Sequence, residues 1–205
     1  MPESILNPEK ITVAAFDFDG TITTIDTLPG FIWFSIKFKR LLFSTLKVIP
    51  ILWSYRFRRM SNHEAKEKLF SEYFGDTPFT DFTKACAGFV PGIQKLARPA
   101  AMDRIRWHQR MGHVVVIVSA SVEDWIIPWA NHNGIHTVLA TQIQVVDGRL
   151  TGRFFSKNCH GQEKVNRLLT YLAGRSNYEL YAYGDSRGDK ELLALADHPF
   201  YRCFD

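Results

Sequence analysis

Two carboxylates stand two residues apart in Asp17-Phe18-Asp19-Gly20-Thr21, directly after the apolar run Val13-Ala14-Ala15-Phe16. Taken alone, this is also what a strand ending in an Asp-Gly turn looks like. Three distant features favour chemistry. Ser119 follows five consecutive Val or Ile residues at 114–118, Gly184-Asp185-Ser186-Arg187-Gly188-Asp189 follows the apolar Leu180-Tyr181-Ala182-Tyr183, and Lys164 lies 21 residues before Asp185. Carboxylates from separate strand ends suit a hard cation such as Mg²⁺, which takes oxygen ligands and keeps waters for the remainder. A serine hydroxyl and an ammonium suit phosphoryl oxygens. Together the types describe phosphoryl transfer with a carboxylate nucleophile.

These residues can act together only if their strands end at one edge of a sheet. In an open parallel α/β sheet, ligands bind just beyond the carboxyl ends of the strands. The pattern predicts a first core strand beginning at Val13 and leading into the carboxylates, further core strands over His113–Val118, Thr137–Thr141 and Leu180–Tyr183, and an edge strand at Phe200–Phe204. It predicts helices over Ile93–Met111, Glu123–Asn133, Gln162–Leu172 and Lys190–Ala196, the first two stopped by Gly112 and Gly134. Val146-Asp147-Gly148-Arg149 marks a hairpin turn within 142–155.

Between the first strand and Ile93 the chain reads as a polar loop, Thr21–Thr27, followed by helices. Phe31–Phe43 and a second apolar-basic run through Phe57 form two of them, with Pro50 as kink or break. Ser61 with Glu64 is a capping signal for a helix to Phe74, and Phe79–Phe89 is a further helix. The expected fold class is α/β: a Rossmann-like three-layer core with a parallel sheet, plus a helical cap inserted after the first strand. The core takes 1–27 and 91–205 and the cap 28–90.

In order and sheet position, Asp17-Phe18-Asp19-Gly20-Thr21, Ser119, Lys164 and Gly184-Asp185 with Asp189 resemble the four motifs of the haloacid dehalogenase superfamily. The insertion resembles the C1 cap of its phosphoserine-phosphatase-like subclass. The resemblance spans about Val13 to Leu195. It implies a phosphatase in which Asp17 is the nucleophile, Asp19 the general acid and base, and Lys164 the group that offsets developing charge. Thr21, Ser119 and Ala120 would bind the phosphoryl group. Asp17, the Asp19 carbonyl and Asp185 would hold Mg²⁺, while Asp189 orients Lys164 or a metal-bound water from the outer shell. An acid at 19 separates the phosphatases of the superfamily from the dehalogenases proper. Phosphomutases share that acid but carry caps unlike this one.

The sequence departs from the phosphoserine phosphatases in two places. Ser186-Arg187-Gly188 replaces their Gly-Ala-Asn, so Arg187 adds a positive charge near the pocket. Asp26, nine residues after Asp17, stands where they carry a Glu facing the substrate amine. Lys157 competes with Lys164 for the catalytic role, but Lys164 opens a helix and is the better match. His132 with His136 reads as an exposed pair, and Cys159 and His160 as loop residues.

The 205-residue chain is 46% hydrophobic and 22% charged, which suits a globular protein with a substantial core. Cys86, Cys159 and Cys203 form neither a disulfide framework nor a CxxC pair, which favours a reducing compartment. Met1–Lys10 lacks the apolar core of a signal peptide, and the apolar stretch Leu41–Tyr55 is interrupted by Lys47 and Pro50. The expected location is cytoplasmic, or peripheral on the cytoplasmic face of a membrane. Neither GxxxxGK[ST] nor GxGxxG occurs.

The net charge is +4, yet its distribution is local. No Asp or Glu occurs from Thr27 to His63, where Lys37, Lys39, Arg40, Lys47, Arg56, Arg58 and Arg59 cluster. The remainder is net acidic, so no nucleic-acid partner is expected. Residues 31–59 either pack on themselves with Lys and Arg stems reaching water, or lie at an anionic membrane surface through Trp33, Phe34, Trp53 and Tyr55. Phosphatidylglycerophosphatases of the superfamily are similar in carrying an apolar-basic insertion here. The expected substrate is therefore a phosphorylated small molecule or lipid. A lipid phosphate such as phosphatidylglycerophosphate stands beside a soluble, phosphoserine-like metabolite, and a non-catalytic membrane- or protein-binding relative is the third reading.

Overall fold

The computed structural model describes residues 11–36, 38–57, 60–173 and 177–205; Met1–Lys10, Lys37, Arg58 and Arg59 lie outside the described residues. Strands β1 (Ile11–Phe16), β2 (Val114–Val122), β3 (Thr137–Thr141), β6 (Tyr178–Gly184) and β7 (His198–Tyr201) form one sheet in the order β3-β2-β1-β6-β7, every pair parallel. Register carries the chemistry to one edge. Phe16 pairs with Ile117 on one side and Tyr183 on the other, so Asp17, Ser119 and Asp185 all fall one or two residues past a common level.

Alternation along β1 divides the core. Ala14 and Phe16 face a layer that holds Ile105, Ile117, Trp125 and Tyr183, while Val13 and Ala15 face Val116, Val118, Leu168 and Leu180. Burial on both faces explains why these strands read as continuous apolar runs. On the first face His108 is fully buried, with Nε2 2.9 Å from the Tyr183 hydroxyl and Nδ1 2.8 Å from His113 Nδ1. Burial pushes its imidazole down to about 4, so it packs as a neutral ring.

The insertion comprises α1 (Thr27–Ser35), α2 (Phe38–Arg56), α3 (Asn62–Phe74) and α4 (Phe79–Gly88). Their shared core is aromatic: Phe31 meets Phe74, Phe82, Phe89 and Trp125 with ring centroids 4.9–5.6 Å apart. The Ser61 and Glu64 capping box opens α3 as the sequence predicts. The hairpin, β4 (Ile143–Val146) with β5 (Arg149–Phe154), stands apart from the main sheet. It docks on the turn between α3 and α4 through backbone bonds from Asp76 N to Leu150 O and from Phe79 N to Gly148 O, each 2.8 Å.

Several boundaries differ from expectation. Ile93–Met111 is two helices, α5 (Val90–Leu96) and α6 (Pro99–Arg110). Pro99 forces Arg98 into an extended conformation (φ −71°, ψ 125°), and the freed Arg98 N–H donates to Ile22 O at 2.8 Å. The basic block breaks after Ser35 rather than at Pro50, which lies inside α2. The carbonyl that Pro50 leaves unpaired belongs to Leu46, on the exposed side of the helix where water can bond it. The last strand begins at His198 and ends before Arg202, whose φ of 50° turns the chain away. The helices α7 (Glu123–His132), α8 (Gln162–Tyr171) and α9 (Lys190–Leu195) lie where the periodicity places them.

Candidate active site

The π-type turn Phe18–Ile22 builds the first wall. Phe18 and Ile22 are fully buried, and Phe18 packs edge-on against Trp129 at 5.3 Å, which leaves Asp17 and Asp19 to point the other way. Gly20 has φ +82°, and a Cβ there would lie 2.5 Å from Asp185 Oδ2. The glycine thus permits both the turn and the close passage of the chain over that carboxylate.

Asp17, Asp185 and Asp189 bring carboxylate oxygens within 4.8 Å of one another, the single such group among the described residues. Lys164, 2% exposed, enters from the first turn of α8 and donates to Asp17 Oδ1 and Asp189 Oδ1, each at 2.5 Å. Desolvation opposes a buried ammonium, but the two facing carboxylates outweigh it and hold Lys164 above its usual range. Burial raises Asp17 to about 7 despite Lys164. Asp189 stays below its usual value, because Lys164 and Ser186 overcome the penalty of burial.

Asp189 is fully committed. Its Oδ2 accepts from Asp185 N, Ser186 N and the Ser186 hydroxyl at 2.8–3.2 Å, while Oδ1 takes Lys164. It therefore positions the Asp185 loop and Lys164. Thr21 donates its hydroxyl to Asp185 Oδ1 at 2.9 Å, so it orients that carboxylate. The donor set suits Mg²⁺: anionic oxygens from two strand ends, each oriented by a partner, with a further acid behind them.

Asp19 is held separately. Its Oδ1 accepts from the backbone N and hydroxyl of Thr27, both at 2.7 Å, and its Oδ2 from the Ser121 hydroxyl. Burial first, then the Asp26 charge, raises its affinity for a proton. A carboxyl whose proton affinity is raised in this way is suited to general-acid work. Ser119 is buried; its Oγ accepts from Ser121 N at 3.1 Å, which leaves the hydroxyl proton free for an oxyanion.

A cavity of about 140 Å³ gathers Asp17, Asp19, Asp26, Ser119, Ala120 and Lys164, together with Lys66, His160, Ser186 and Gly188. A larger surface cleft of about 470 Å³ runs between β3 and α8, away from these carboxylates. Of the sequence-predicted residues, Asp26 is at the rim, where it also caps α1 through Leu28 N (2.8 Å), and Arg187 is exposed outside the lining. Lys157 is exposed, and Cys159 is buried beneath the loop.

Sequence reasoning missed Lys66, Ser121 and Thr27 and set His160 aside. Ser121 had a visible signal, since it lies two residues past Ser119 in a strand. Lys66 had none, because only packing of the cap brings α3 to the Ala120 carbonyl, 3.4 Å from Nζ.

Residues 14–194 match the haloacid dehalogenase-like hydrolase family. The chain belongs to that family. It is 31% identical to protein CicA of Caulobacter vibrioides over 194 residues, 94% of this chain and 86% of that one. A probable phosphatase of Mycobacterium tuberculosis is 37% identical over 135 residues, 58% of this chain and 46% of that protein. Among solved structures, a substrate-bound phosphoserine phosphatase superposes with a TM-score of 0.64 at 17% identity, over 94% of this chain and 86% of that one. This last likeness concerns the fold: the Rossmann-like sheet and its helices are those of a phosphoserine phosphatase. The chain is thus an enzyme of a hydrolase family.

Proposed function

We propose that this hydrolase is a Mg²⁺-dependent phosphomonoesterase that works through an aspartyl-phosphate on Asp17. The observation that carries the proposal is the buried Asp17 held against Lys164, with Asp19 anchored independently by Thr27 and Ser121. Asp17, the Asp19 carbonyl and Asp185 would hold Mg²⁺, whose charge lets a phosphate dianion approach a carboxylate.

Asp17 attacks phosphorus as the ester P–O bond breaks, and the Asp19 carboxyl gives its proton to the departing oxygen. The resulting Asp19 carboxylate then takes a proton from the water that attacks the phosphoryl group, which frees inorganic phosphate and restores Asp17. Ser119 and Lys164 bind the equatorial oxygens through both steps.

Asp19→Asn gives the test. Alkyl phosphates, whose leaving oxygen needs a proton, are expected to lose roughly 10²–10⁴-fold in the rate of phosphoryl transfer to the enzyme. That step loses far less with 4-nitrophenyl phosphate. Equal losses in single-turnover rates for both esters, or undiminished turnover after Mg²⁺ removal, would refute the mechanism.

One observation favours a lipid phosphate over a soluble metabolite. Leu46, Ile49 and Trp53 on α2 and Phe57 just after it are spaced three or four residues apart and exposed by 46–64%, and Trp33 and Phe34 on α1 are exposed as well. This apolar stripe lies in the acid-free basic stretch, the composition of a helix that beds into an anionic interface. No helix among the described residues is long and apolar enough to cross a membrane. Flotation with vesicles containing phosphatidylglycerol is expected to carry the protein upward, and Trp53→Glu to abolish it; failure of the unaltered protein to float removes the lipid reading.

A further inference from the structure

Asp185 sits between two peptide groups, and both are gripped from opposite sides. On one side Asp189 Oδ2 accepts from Asp185 N at 3.2 Å and from Ser186 N at 3.0 Å. On the other, Arg202 supplies the matching donors: its backbone N–H bonds Gly184 O and its Nε bonds Asp185 O, each at 2.9 Å. Each flanking peptide thus gives its N–H to Asp189 and its carbonyl to Arg202, which fixes the backbone rotations on either side of the Asp185 Cα. The Thr21 hydroxyl then sets the carboxylate itself.

Arg202 reaches this place through a strained backbone. Its φ of 50° is a left-handed conformation that a residue with a long side chain rarely adopts. Burial does not explain it, because Arg202 is exposed, with its guanidinium carbon 5.3 Å from the centroid of the Tyr201 ring. The segment around it enforces the conformation. Phe204 stacks on Phe16 and Tyr183, which precede Asp17 and Gly184, with ring centroids 6.5 and 5.5 Å apart. Arg98 holds the Phe204 carbonyl at 3.1 Å and the Asp205 carboxylate at 2.9 Å. The turn after β7 is therefore anchored on both sides of Arg202, and what its strained residue secures is the pair of bonds to the Asp185 peptides.

We infer that Arg202 is a positioning residue for Asp185, and that its grip on the two peptides sets the affinity of the carboxylate site for Mg²⁺. The inference rests on the metal-dependent reading of the site and adds to it a side chain outside the cavity lining, 17 positions from Asp185. Removing a partner that orients a metal ligand typically weakens the metal by about 10–100-fold. Arg202 acts through the backbone of its ligand, which places the expected effect at the lower end of that range.

The test compares Arg202→Met with Arg202→Gln. Both keep the backbone N–H and a side chain that reaches as far as Nε, and only the glutamine ends in an N–H donor there. The readout is the Mg²⁺ concentration at half effect, followed both by the metal-induced rise in Tm and by activation of 4-nitrophenyl phosphate hydrolysis. That concentration is expected to rise about tenfold in Arg202→Met and to stay within about threefold of the original in Arg202→Gln. Arg202→Gly guards against misfolding, since it removes the guanidinium and the strain together. Its urea midpoint without Mg²⁺ should equal or exceed that of the unaltered protein, while its Mg²⁺ requirement rises as in Arg202→Met. A requirement unmoved in Arg202→Met and Arg202→Gly, or raised equally in Arg202→Met and Arg202→Gln, overturns the inference and leaves the metal-dependent reading intact. An unaltered protein whose Tm and turnover both ignore Mg²⁺ overturns both.

Discussion

Asp17→Asn is expected to abolish turnover while leaving the protein folded. The amide keeps the shape of the carboxylate but supplies no nucleophile, and removal of an attacking group from a cooperating set costs about 10⁴–10⁶-fold in kcat. The folding side of the prediction follows from burial. Raised to about 7, the Asp17 carboxyl binds protons more tightly in the native state than in the unfolded chain, so it withdraws stability as pH rises from about 4 to 7. An amide removes that liability, and Asp189 remains to pair Lys164. The variant should therefore show no phosphate release above background and a urea midpoint at pH 7 equal to or above that of the unaltered protein. A variant that turns over at more than a hundredth of the original rate would assign the nucleophile elsewhere.

Lys164→Met should fail in the opposite manner, losing stability as well as activity. Its ammonium is the cation between Asp17 and Asp189, both nearly inaccessible to solvent. Breaking a buried pair by deleting one partner typically costs about 3–5 kcal/mol, because the other charge stays buried. Here two carboxylates are left facing each other. Each then holds a proton more tightly in the native state than in the unfolded chain, so the variant gains stability relative to the original protein as pH falls from 7 to 5. Urea unfolding at the two pH values measures this directly, and added Mg²⁺ should restore part of the loss by supplying a cation to the same oxygens. A stability deficit that is the same at pH 5 and pH 7 would mean that Lys164 acts through packing alone. The contrast separates the two roles: Asp17 is kept at a cost to the fold, Lys164 offsets that cost.

Both predictions involve residues that lie 147 positions apart in the chain yet meet at 2.5 Å. The sequence nevertheless exposed them. A parallel sheet has buried strands, so each strand must be an apolar run, and a polar residue at the carboxyl end of such a run has a crevice to enter. Asp17, Ser119 and Asp185 each follow a run of this kind, and alternation along an extended chain turns Asp19 away from the core position of Phe18. The order of the helices and the capping of α3 were legible for the same reason, since they depend on residues within one turn of each other.

What the tertiary structure decided depends on groups brought together across the chain. Thr21 carries a hydroxyl suited to phosphate, yet it meets Asp185 first, because the turn at Gly20 wraps over that carboxylate. Asp189 spends both oxygens on Lys164 and the Asp185 loop, which no spacing could reveal. Asp19 is anchored by Thr27, eight residues on, only because Asp26 caps a helix that starts there, and by Ser121 only because β2 bulges after Ser119. The inserted helix α3 contributes Lys66 to the small cavity and His63 to the neighbouring cleft, although its sequence marks only a capped helix. Local chemistry and strand pattern determined which residues gather at the carboxyl edge of the sheet. Packing of the inserted helices against the sheet, which has no signature along the chain, decided the space left beside them.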